Sequence, residues 1–499
     1  MNRNLADLAA AIPKEMRKGM PQINQQSLQL LVTGISYDSR AIGPRMIFVA
    51  ISGFNENGHR YIDSAIERGA CAVFGEQQIV NCSVPYFRVA NSRLAMAHLA
   101  AALFADPTRK LYTVGVTGTN GKTTVAHLTA ALLGKEKTEL ISTVTNEGTA
   151  ISTITTPESP HIHETAFHAL QSGKENFVLE VSSIAGVLYR TALIDFDVAL
   201  FTNFSRDHLD FHKSMDAYRH AKVRLARDLK PEGRVIANID DPVGRTFLAE
   251  SPAEPLSYSI ANKADLMANE LLLSPHGSQF VISYQDEQVR VKTRLIGRYN
   301  VYNALAAVAV GLDYGLSLTD AGARLQDIPA VAGRFEQYQT RNGAAVIIDF
   351  AHSPDALEKT LMMIKEIYRP SRLICLFGCG GESDGGKRPM MGKIAGQLAD
   401  YTIITTDNPK REDPEKIIAQ IEAGMARTNG EYERITDRKR AIRRAIALAA
   451  PNNIVLLAGK GHEQSQIFKD KAVAYNDYQF LVDAALIVES PRPRGRSYE

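Results

Sequence analysis

The chain has 499 residues, 45% hydrophobic and 22% charged, the balance of a soluble protein that buries real cores. That length allows about three domains. A net charge of +2 excludes a broad polyanion-binding field, so nucleic acid is not an expected partner. No stretch approaches the roughly 18 apolar residues of a membrane span. The charges scattered through residues 1–20 exclude a secretory signal, so the cytoplasm is the expected compartment, without membrane insertion.

The first hundred residues hold short mixed strands, such as Met46–Ile51 (M-I-F-V-A-I), and a helix near Tyr61–Arg68, with no catalytic cluster. From Leu111 apolar β-rich runs recur: L-Y-T-V-G-V, F-V-L-E-V, D-V-A-L-F-T-N and R-V-I-A-N. Each is followed by a polar or glycine turn and a helical pattern, which predicts a largely parallel sheet with helical crossovers. A more polar, strand-rich patch at 257–293 precedes a predicted helix at Tyr302–Tyr314, and V-A-G-R-F-E at 331–336 marks a boundary. Beyond it come A-A-V-I-I-D-F, a helix at Asp355–Tyr368, R-L-I-C-L-F, a helix at Lys393–Leu398, Y-T-I-I-T-T, a helix at Pro414–Met425 and N-I-V-L-L-A. This is a second doubly wound unit, in which ligands bind beyond the carboxyl ends of the strands. The expectation is an α/β protein of three domains: 1–105, a central P-loop parallel-sheet domain at 106–333 and a Rossmann-like domain at 334–499. Residues 491–499 (P-R-P-R-G-R-S-Y-E) read as a disordered basic tail. Cys71, Cys82, Cys375 and Cys379 read as reduced thiols packed as small hydrophobes, because no convergent set of metal ligands accompanies them.

Chemistry first shows at residues 113–124, T-V-G-V-T-G-T-N-G-K-T-T. The loop lacks the first glycine of the usual phosphate-binding consensus, whose place is taken by Val116. Its context is nevertheless that of a phosphate cradle: a strand, a glycine turn and the N-terminus of an apolar helix, where backbone N–H groups and the helix dipole face an anion. Lys122 would then meet the β- and γ-phosphates, and Thr123 would offer its hydroxyl to Mg²⁺. Downstream, Glu180 stands near the end of an apolar strand, where a solvated carboxylate fits poorly. After the next strand comes T-N-F-S-R-D-H-L-D-F-H, placing His208 beside Asp207, Asp210 and His212. Carboxylate, imidazole and hydroxyl groups beside such a loop suit Mg²⁺.

Taken together, T-G-T-N-G-K-T-T, E-V-S-S, T-N-F-S-R-D-H-L-D-F-H, the Y-x-x-A-K segment at 218–222 and Y-N-V-Y-N-A-L-A-A at 299–307 resemble the Mur ligases. V-A-G-R-F-E, D-F-A-H-S-P-D-A-L-E-K-T-L, F-G-C-G-G, K-R-P-M-M-G, D-N-P-K and A-G-K-G-H-E extend the likeness to the branch that adds the third residue of the peptidoglycan stem. S-Y-D-S-R, I-F-V-A-I-S-G and G-H-R-Y-I-D-S-A-I-E-R-G-A carry it into the N-terminal domain, which the resemblance makes a UDP-binding domain. The family's own loop is G-T-N-G-K-T, which accounts for the missing glycine.

The resemblance implies an ATP-dependent, ADP-forming amide ligase that works through an acyl phosphate. It uses ATP and Mg²⁺, joins a UDP-muramoyl peptide to an amino acid, and acts as a monomer. Gly118, Thr119, Asn120, Gly121, Lys122, Thr123 and Thr124 would cradle the phosphates. Thr123 and Glu180 would hold one Mg²⁺, and His208 would join Glu180 around a second. Lys222, on its own residues an exposed helical lysine, corresponds to the family's carbamylated metal-binding lysine. Asn300 and Asn303 would meet adenine, and Arg334 and Asp349 would reach phosphate and ribose, with His352 on the same loop. Thr155, Thr156, Ser182 and Arg190 would hold the muramoyl peptide, and Ser36 and Ser39 the uridine. For the amino acid the family points to Arg388, Asp407, Asn408, Lys410, Gly459 and Glu463. Arg388 would pair with a carboxylate and Glu463 with a distal ammonium.

Departures from the family's pattern concentrate in the substrate pockets. Ile184 follows E-V-S-S where histidine is usual, Leu188 replaces a glutamine-like residue, and G-G-E-S-D lacks an arginine of G-G-D-R-D. D-N-P-K places Lys410 where an arginine would clasp a side-chain carboxylate, and a point charge does not reproduce a planar fork. Two ligase readings stay open here: a peptidoglycan tripeptide synthetase, or a paralogue joining a related acid and amine in a specialised-metabolite pathway. A non-catalytic nucleotide-binding regulator is the reading from another class. Meso-diaminopimelate leads among the amines, with L-lysine or another basic amino acid and an unrelated amine as the alternatives.

Overall fold

Strands buried on both faces need apolar side chains at every position, and the central strands of this chain have them. Phe177 and Leu179 point into one core and Val178 into the other. The computed structural model describes residues 3–18, 25–53, 56–79, 81–147, 154–469 and 471–488. The tail read at 491–499 lies outside them.

Three large sheets are present among the described residues. The N-terminal sheet is wholly parallel, in the order Gly34–Ser36, Met46–Ala50, Ala70–Gly75, Tyr86–Arg88. The central sheet has nine strands. Its parallel part runs Thr138–Ile141, Asn176–Glu180, Tyr112–Thr117, Phe196–Phe201, Leu229–Asn238, Glu254–Ser259 and Leu266–Ser274. Gly277–Tyr284 and Glu287–Thr293 then close it as antiparallel strands, the polar patch seen in the sequence. The C-terminal sheet places Asn453–Ala458 between Ala345–Asp349 and Arg372–Phe377, with Tyr401–Ile404 and Tyr432–Arg434 beyond and Glu336–Gln339 as an antiparallel edge. This is the expected α/β architecture, and in both larger sheets the loops after the parallel strands form one working edge. No helix among the described residues is long and apolar enough to cross a membrane.

Two helices start earlier than the sequence suggested. The helix expected from Tyr302 spans Arg298–Asp313, which brings Asn300 inside it. The helix expected from Lys393 spans Lys387–Leu398, because Pro389 falls in the first turn, where no backbone donor is needed. A hairpin (Ser465–Phe468, Lys471–Ala474) and a helix (Asp477–Asp483) were not foreseen. All four cysteines are free, Cys375 and Cys379 buried and Cys71 and Cys82 partly so.

That last helix carries Asp477, which with Arg438 forms an ion pair 0% exposed on both sides, at 2.7 Å. Burial alone would raise the Asp477 carboxyl, but Arg438 and the Tyr475 hydroxyl outweigh it and hold the carboxyl below its usual value. A carboxyl depressed by folding stabilises above its unfolded pKa and loses that contribution as pH falls through the folded value. Asp477→Asn is therefore expected to cost about 3–5 kcal/mol at neutral pH, since Arg438 is left unpaired. The difference should narrow as the pH drops below about 4. Urea unfolding of both proteins at several pH values measures it.

Candidate active site

The loop at 118–124 takes its shape from two glycines that nothing else could replace. Gly118 has φ +144°, and a Cβ there would lie 1.9 Å from Thr202 Oγ1. Gly121, at φ +86°, opens the helix Lys122–Leu133, and its Cβ would lie 2.5 Å from Asn303 Oδ1. The T-N-F-S segment backs the loop: Asn203 Oδ1 accepts the Asn120 N–H at 3.0 Å, and Thr119 Oγ1 accepts the Ser205 N–H at 3.0 Å. Lys122 folds over the turn, its Nζ donating to Gly118 O (3.0 Å) and Thr119 O (2.9 Å). Burial pushes its ammonium below the usual lysine range. Thr123 and Thr124 are buried at the helix start.

Glu180, fully buried at its strand end, accepts the Thr143 N–H at 2.9 Å and the Thr143 hydroxyl at 3.2 Å. Lys222 is not the exposed helical lysine its segment suggests. It is 2% exposed, lies 4.7 Å from the Tyr218 ring centre and donates to Gly118 O at 2.6 Å. Burial, with Lys122 adding, pushes its amine well below the usual lysine range. His208, in the left-handed conformation at φ 54°, faces the same centre. Desolvation, with Lys222 and Lys122 adding, pushes it down to about 4 against the pull of Asp207.

Asp207 itself, which the sequence marked only as a neighbour of His208, ties the two larger domains together. His208 Nε2 (3.8 Å), His352 Nε2 (3.7 Å) and Lys387 Nζ (3.6 Å) surround its carboxylate. Burial would raise it, but Lys387 and the two histidines hold it below the usual carboxylate range. Other contacts cross the same gap. Arg334 Nη2 donates to Thr123 Oγ1 at 2.8 Å, Asn120 Nδ2 to Asp355 Oδ2 at 2.8 Å, and Arg206 pairs with Asp384 at 3.4 Å. Arg334 is stacked 4.5 Å from the Phe350 ring centre. Asp349 steadies its turn by accepting the Phe335 N–H at 2.9 Å. Asn300 and Asn303, one helical turn apart, join through Asn303 Nδ2 to Asn300 Oδ1 at 2.9 Å, beside Gly121.

Thr156, Ser182 and Arg190 form a connected group: Thr156 Oγ1 donates to Glu180 O (2.8 Å) and accepts the Ser182 N–H (2.9 Å), and Arg190 Nη1 donates to Thr156 O (3.0 Å). Thr155 touches Thr143 Oγ1 at 3.5 Å. Glu158, unassigned from sequence, pairs with both Arg190 and Arg93 of the N-terminal domain, each at 3.0 Å. Tyr37 feels Glu158 and Arg190, so the loop carrying Ser36 and Ser39 faces this group. Ser36 Oγ itself closes a turn with Asp38, accepting its N–H at 3.0 Å, and Ser39 is buried.

Asp407, Asn408, Gly459 and Glu463 converge at the edge of the C-terminal sheet. A Cβ on Gly459 would lie 2.6 Å from Asp407 Oδ2, and Asn408 Nδ2 donates to Glu463 Oε2 at 2.9 Å. Lys460, another residue without a sequence-based role, is 0% exposed and donates to Asn408 Oδ1 at 2.9 Å, Ser465 O at 2.7 Å and Glu463. Burial raises the Glu463 carboxyl against the opposing pull of Lys460. Lys410 lies on the same loop at φ 52°. Arg388, expected to pair with a substrate carboxylate, is engaged by Glu412, Gln420 and Gly380 O, while its buried Nε has no partner among the described residues.

Three family models match the chain: "Mur ligase family, catalytic domain" over residues 31–103, "Mur ligase middle domain" over 116–311 and "Mur ligase, glutamate ligase domain" over 333–461. UDP-N-acetylmuramoyl-L-alanyl-D-glutamate–2,6-diaminopimelate ligase of Caldanaerobacter subterraneus subsp. tengcongensis is 38% identical over 98% of this chain and 100% of its own. The ligase of the same name from Chlorobium phaeobacteroides is 40% identical over 96% of each chain. A solved structure of such a ligase superposes with a TM-score of 0.65 at 28% identity, covering 97% of this chain and 99% of the other. The Thermotoga maritima MurF ligase in complex with ADP shares the fold at 18% identity, with a TM-score of 0.62 over 86% of this chain and 94% of its own. With near-complete coverage at this identity, and with all three models in order along it, the chain belongs to the Mur ligase family.

Proposed function

We propose that the chain adds meso-diaminopimelate to UDP-N-acetylmuramoyl-L-alanyl-D-glutamate at the expense of ATP, in the cytoplasm and as a monomer. The observation that carries this is the union, at one edge, of the glycine loop 118–124 with Glu180, His208 and Lys222 from the central sheet and Arg334 from the C-terminal one. The names of relatives with 38–40% identity supply the substrates. We divide the chain accordingly at 1–105, 106–333 and 334–499.

An amide cannot form from a carboxylate until one oxygen becomes a leaving group. In this reading a D-glutamate carboxylate oxygen attacks the γ-phosphorus of ATP and ADP departs. The amine of the amino acid then attacks the acyl carbon, and phosphate leaves as the nitrogen loses a proton. Lys122 and Arg334 bring positive charge to the transferring phosphoryl group. Asn300 and Asn303 receive adenine, and Asp349 the ribose. Thr155, Thr156, Ser182 and Arg190 orient the acid substrate, with Ser36 and Ser39 toward uridine.

Among the described residues no three His, Cys, Asp or Glu side chains form a group that could hold a metal ion. A divalent site built here needs oxygens beyond the carboxylates. The Thr123 hydroxyl and Glu180 are two oxygen donors, His208 adds a neutral nitrogen, and Lys222 suits the last place once carbamylated. Its buried amine donates to the Gly118 carbonyl and has no carboxylate partner among the described residues, and burial favours the neutral form that reaction with CO₂ requires. Mg²⁺ bound there would neutralise charge on the phosphate oxygens. For the amino acid, Asp407, Asn408, Gly459 and Glu463 shape the pocket, and Lys410 is the cation toward the second carboxylate of diaminopimelate.

Phosphate release assayed with UDP-N-acetylmuramoyl-L-alanyl-D-glutamate and a panel of amino acids tests the whole reading. Release should require both substrates and favour meso-diaminopimelate, and release independent of either excludes it. Lys122→Ala is expected to lower turnover by about three orders of magnitude or more while the fold persists; near-normal turnover removes the loop's assignment. Lys222→Ala should lose activity and recover part of it with short carboxylic acids, and full activity of wild type depleted of CO₂ contradicts the carbamate. Lys410→Ala should raise KM for meso-diaminopimelate about tenfold and change that for L-lysine little. Equal effects mean that Lys410 does not read the side chain.

A further inference from the structure

Two arginines share one carboxylate where the N-terminal residues meet the central sheet. Arg93 Nη1 donates to Glu158 Oε1 and Oε2, each at 3.0 Å, and Arg190 Nε donates to Glu158 Oε1 at 3.0 Å. The side chains of Arg93, Glu158 and Arg190 are 19%, 7% and 14% exposed. One positive charge is therefore left over in a place largely shut off from water, where an unmatched charge is costly. The helices that carry these residues do not account for it. Arg93 lies in the first turn of helix Ser92–Leu103, where a cation opposes the helix dipole. Glu158 stands at the N-cap of helix Ser159–Gln171, yet its side chain makes no cap and turns to the arginines instead.

The group lies between the two ends of the acid-substrate site. On one side the Tyr37 hydroxyl, on the loop between Ser36 and Ser39, sits in the field of all three charges. On the other, Arg190 Nη1 donates to Thr156 O at 3.0 Å, and Thr156 Oγ1 donates to Glu180 O at 2.8 Å. An acid whose uridine meets Ser36 and Ser39, and whose carboxylate reacts beside Glu180, crosses the arginines with its middle. The diphosphate is the charged part of that middle. Among the described residues Arg93 gives only Nη1 to Glu158, which leaves Nε and Nη2 to donate to phosphate oxygens.

We propose that Arg93 is a further substrate-binding residue that meets the diphosphate of the UDP-linked acid together with Arg190, an inference that rests on the acid substrate assigned above. Arg190 and Glu158 by themselves make a neutral pair, so the charge in excess that attracts the anion is supplied by Arg93. Glu158 holds the two guanidinium groups side by side until the phosphate oxygens arrive. Because Arg93 comes from the N-terminal residues and Arg190 from the central ones, the diphosphate also ties the two together.

Inhibition of the full-length enzyme by UDP and by uridine, each in competition with the UDP-linked acid in the phosphate-release assay, isolates the diphosphate. Arg93→Gln should weaken UDP about tenfold or more and leave uridine within about twofold. KM for the UDP-linked acid should rise as UDP weakens, while kcat and KM for ATP stay within about threefold. UDP and uridine weakened alike would make Arg93 a structural tie and overturn the proposal. A higher KM for the acid with UDP inhibition unchanged would place Arg93 on another part of the substrate and overturn it equally. If Arg93→Gln does not fold, as its unfolding midpoint will tell, Arg93→Lys serves, since it keeps the charge and loses the fork. It should weaken UDP about threefold and uridine not at all, and the same two outcomes overturn the proposal. Wild-type phosphate release that does not depend on the UDP-linked acid removes the underlying reading instead, which keeps the two failures apart.

Discussion

Buried positive charge at the junction of the central and C-terminal sheets is the constraint on which the rest of the site depends. Lys222 is drawn out of water and Lys122 and Arg334 are half-buried, and desolvation leads the causes that depress each of them. The groups that hold them are mostly dipoles. Gly118 O accepts from both lysines, and Arg334 donates to the Thr123 hydroxyl. Such groups soften the cost of burying a cation without matching its charge, and a polyanion such as a triphosphate completes the match. Carbonyls can serve this way only if the chain turns tightly enough to present them. That is why Gly118 and Gly121 stand where any Cβ would meet Thr202 or Asn303.

The same junction links phosphate chemistry to domain geometry. Asp207 belongs to the central domain, yet two of its three basic neighbours, His352 and Lys387, come from the C-terminal one. The helix that begins at Lys387 carries Arg388 as its next residue, and Arg388 pairs with Glu412. In the proposed reading nucleotide, acid substrate and amino acid meet on adjacent loops that follow the carboxyl ends of parallel strands.

The alternation of apolar strands and helices was legible because strands buried on both faces leave unbroken apolar runs, as in F-V-L-E-V and N-I-V-L-L-A. The glycine loop was legible from its strand-to-helix context even without the consensus first glycine. Lys222 was not, because A-Y-R-H-A-K-V reads as a polar helix face. Its burial comes from Gly118, more than a hundred residues away in sequence, and from Tyr218 folded beneath it. The partners of Arg388 were hidden for the same reason: K-R-P shows a cation but not that Glu412 and Gln420 are folded against it. The start of its helix was hidden by Pro389 and Gly392, residues that read as breakers unless the first turn is known. Glu158 and Lys460 escaped notice because their importance lies in partners that only the tertiary fold supplies.

The central claim is that this junction is built around buried cations that phosphate oxygens satisfy. The most direct measurement is thermal unfolding with Mg²⁺-ATP and, separately, with adenosine at the same free concentration. The account predicts a rise of several degrees with ATP and little with adenosine, because ligand binding to the folded state stabilises it in proportion to the affinity gained from the phosphates. Equal shifts with the two ligands, or an ATP shift unchanged in the Lys122→Ala variant, would contradict it.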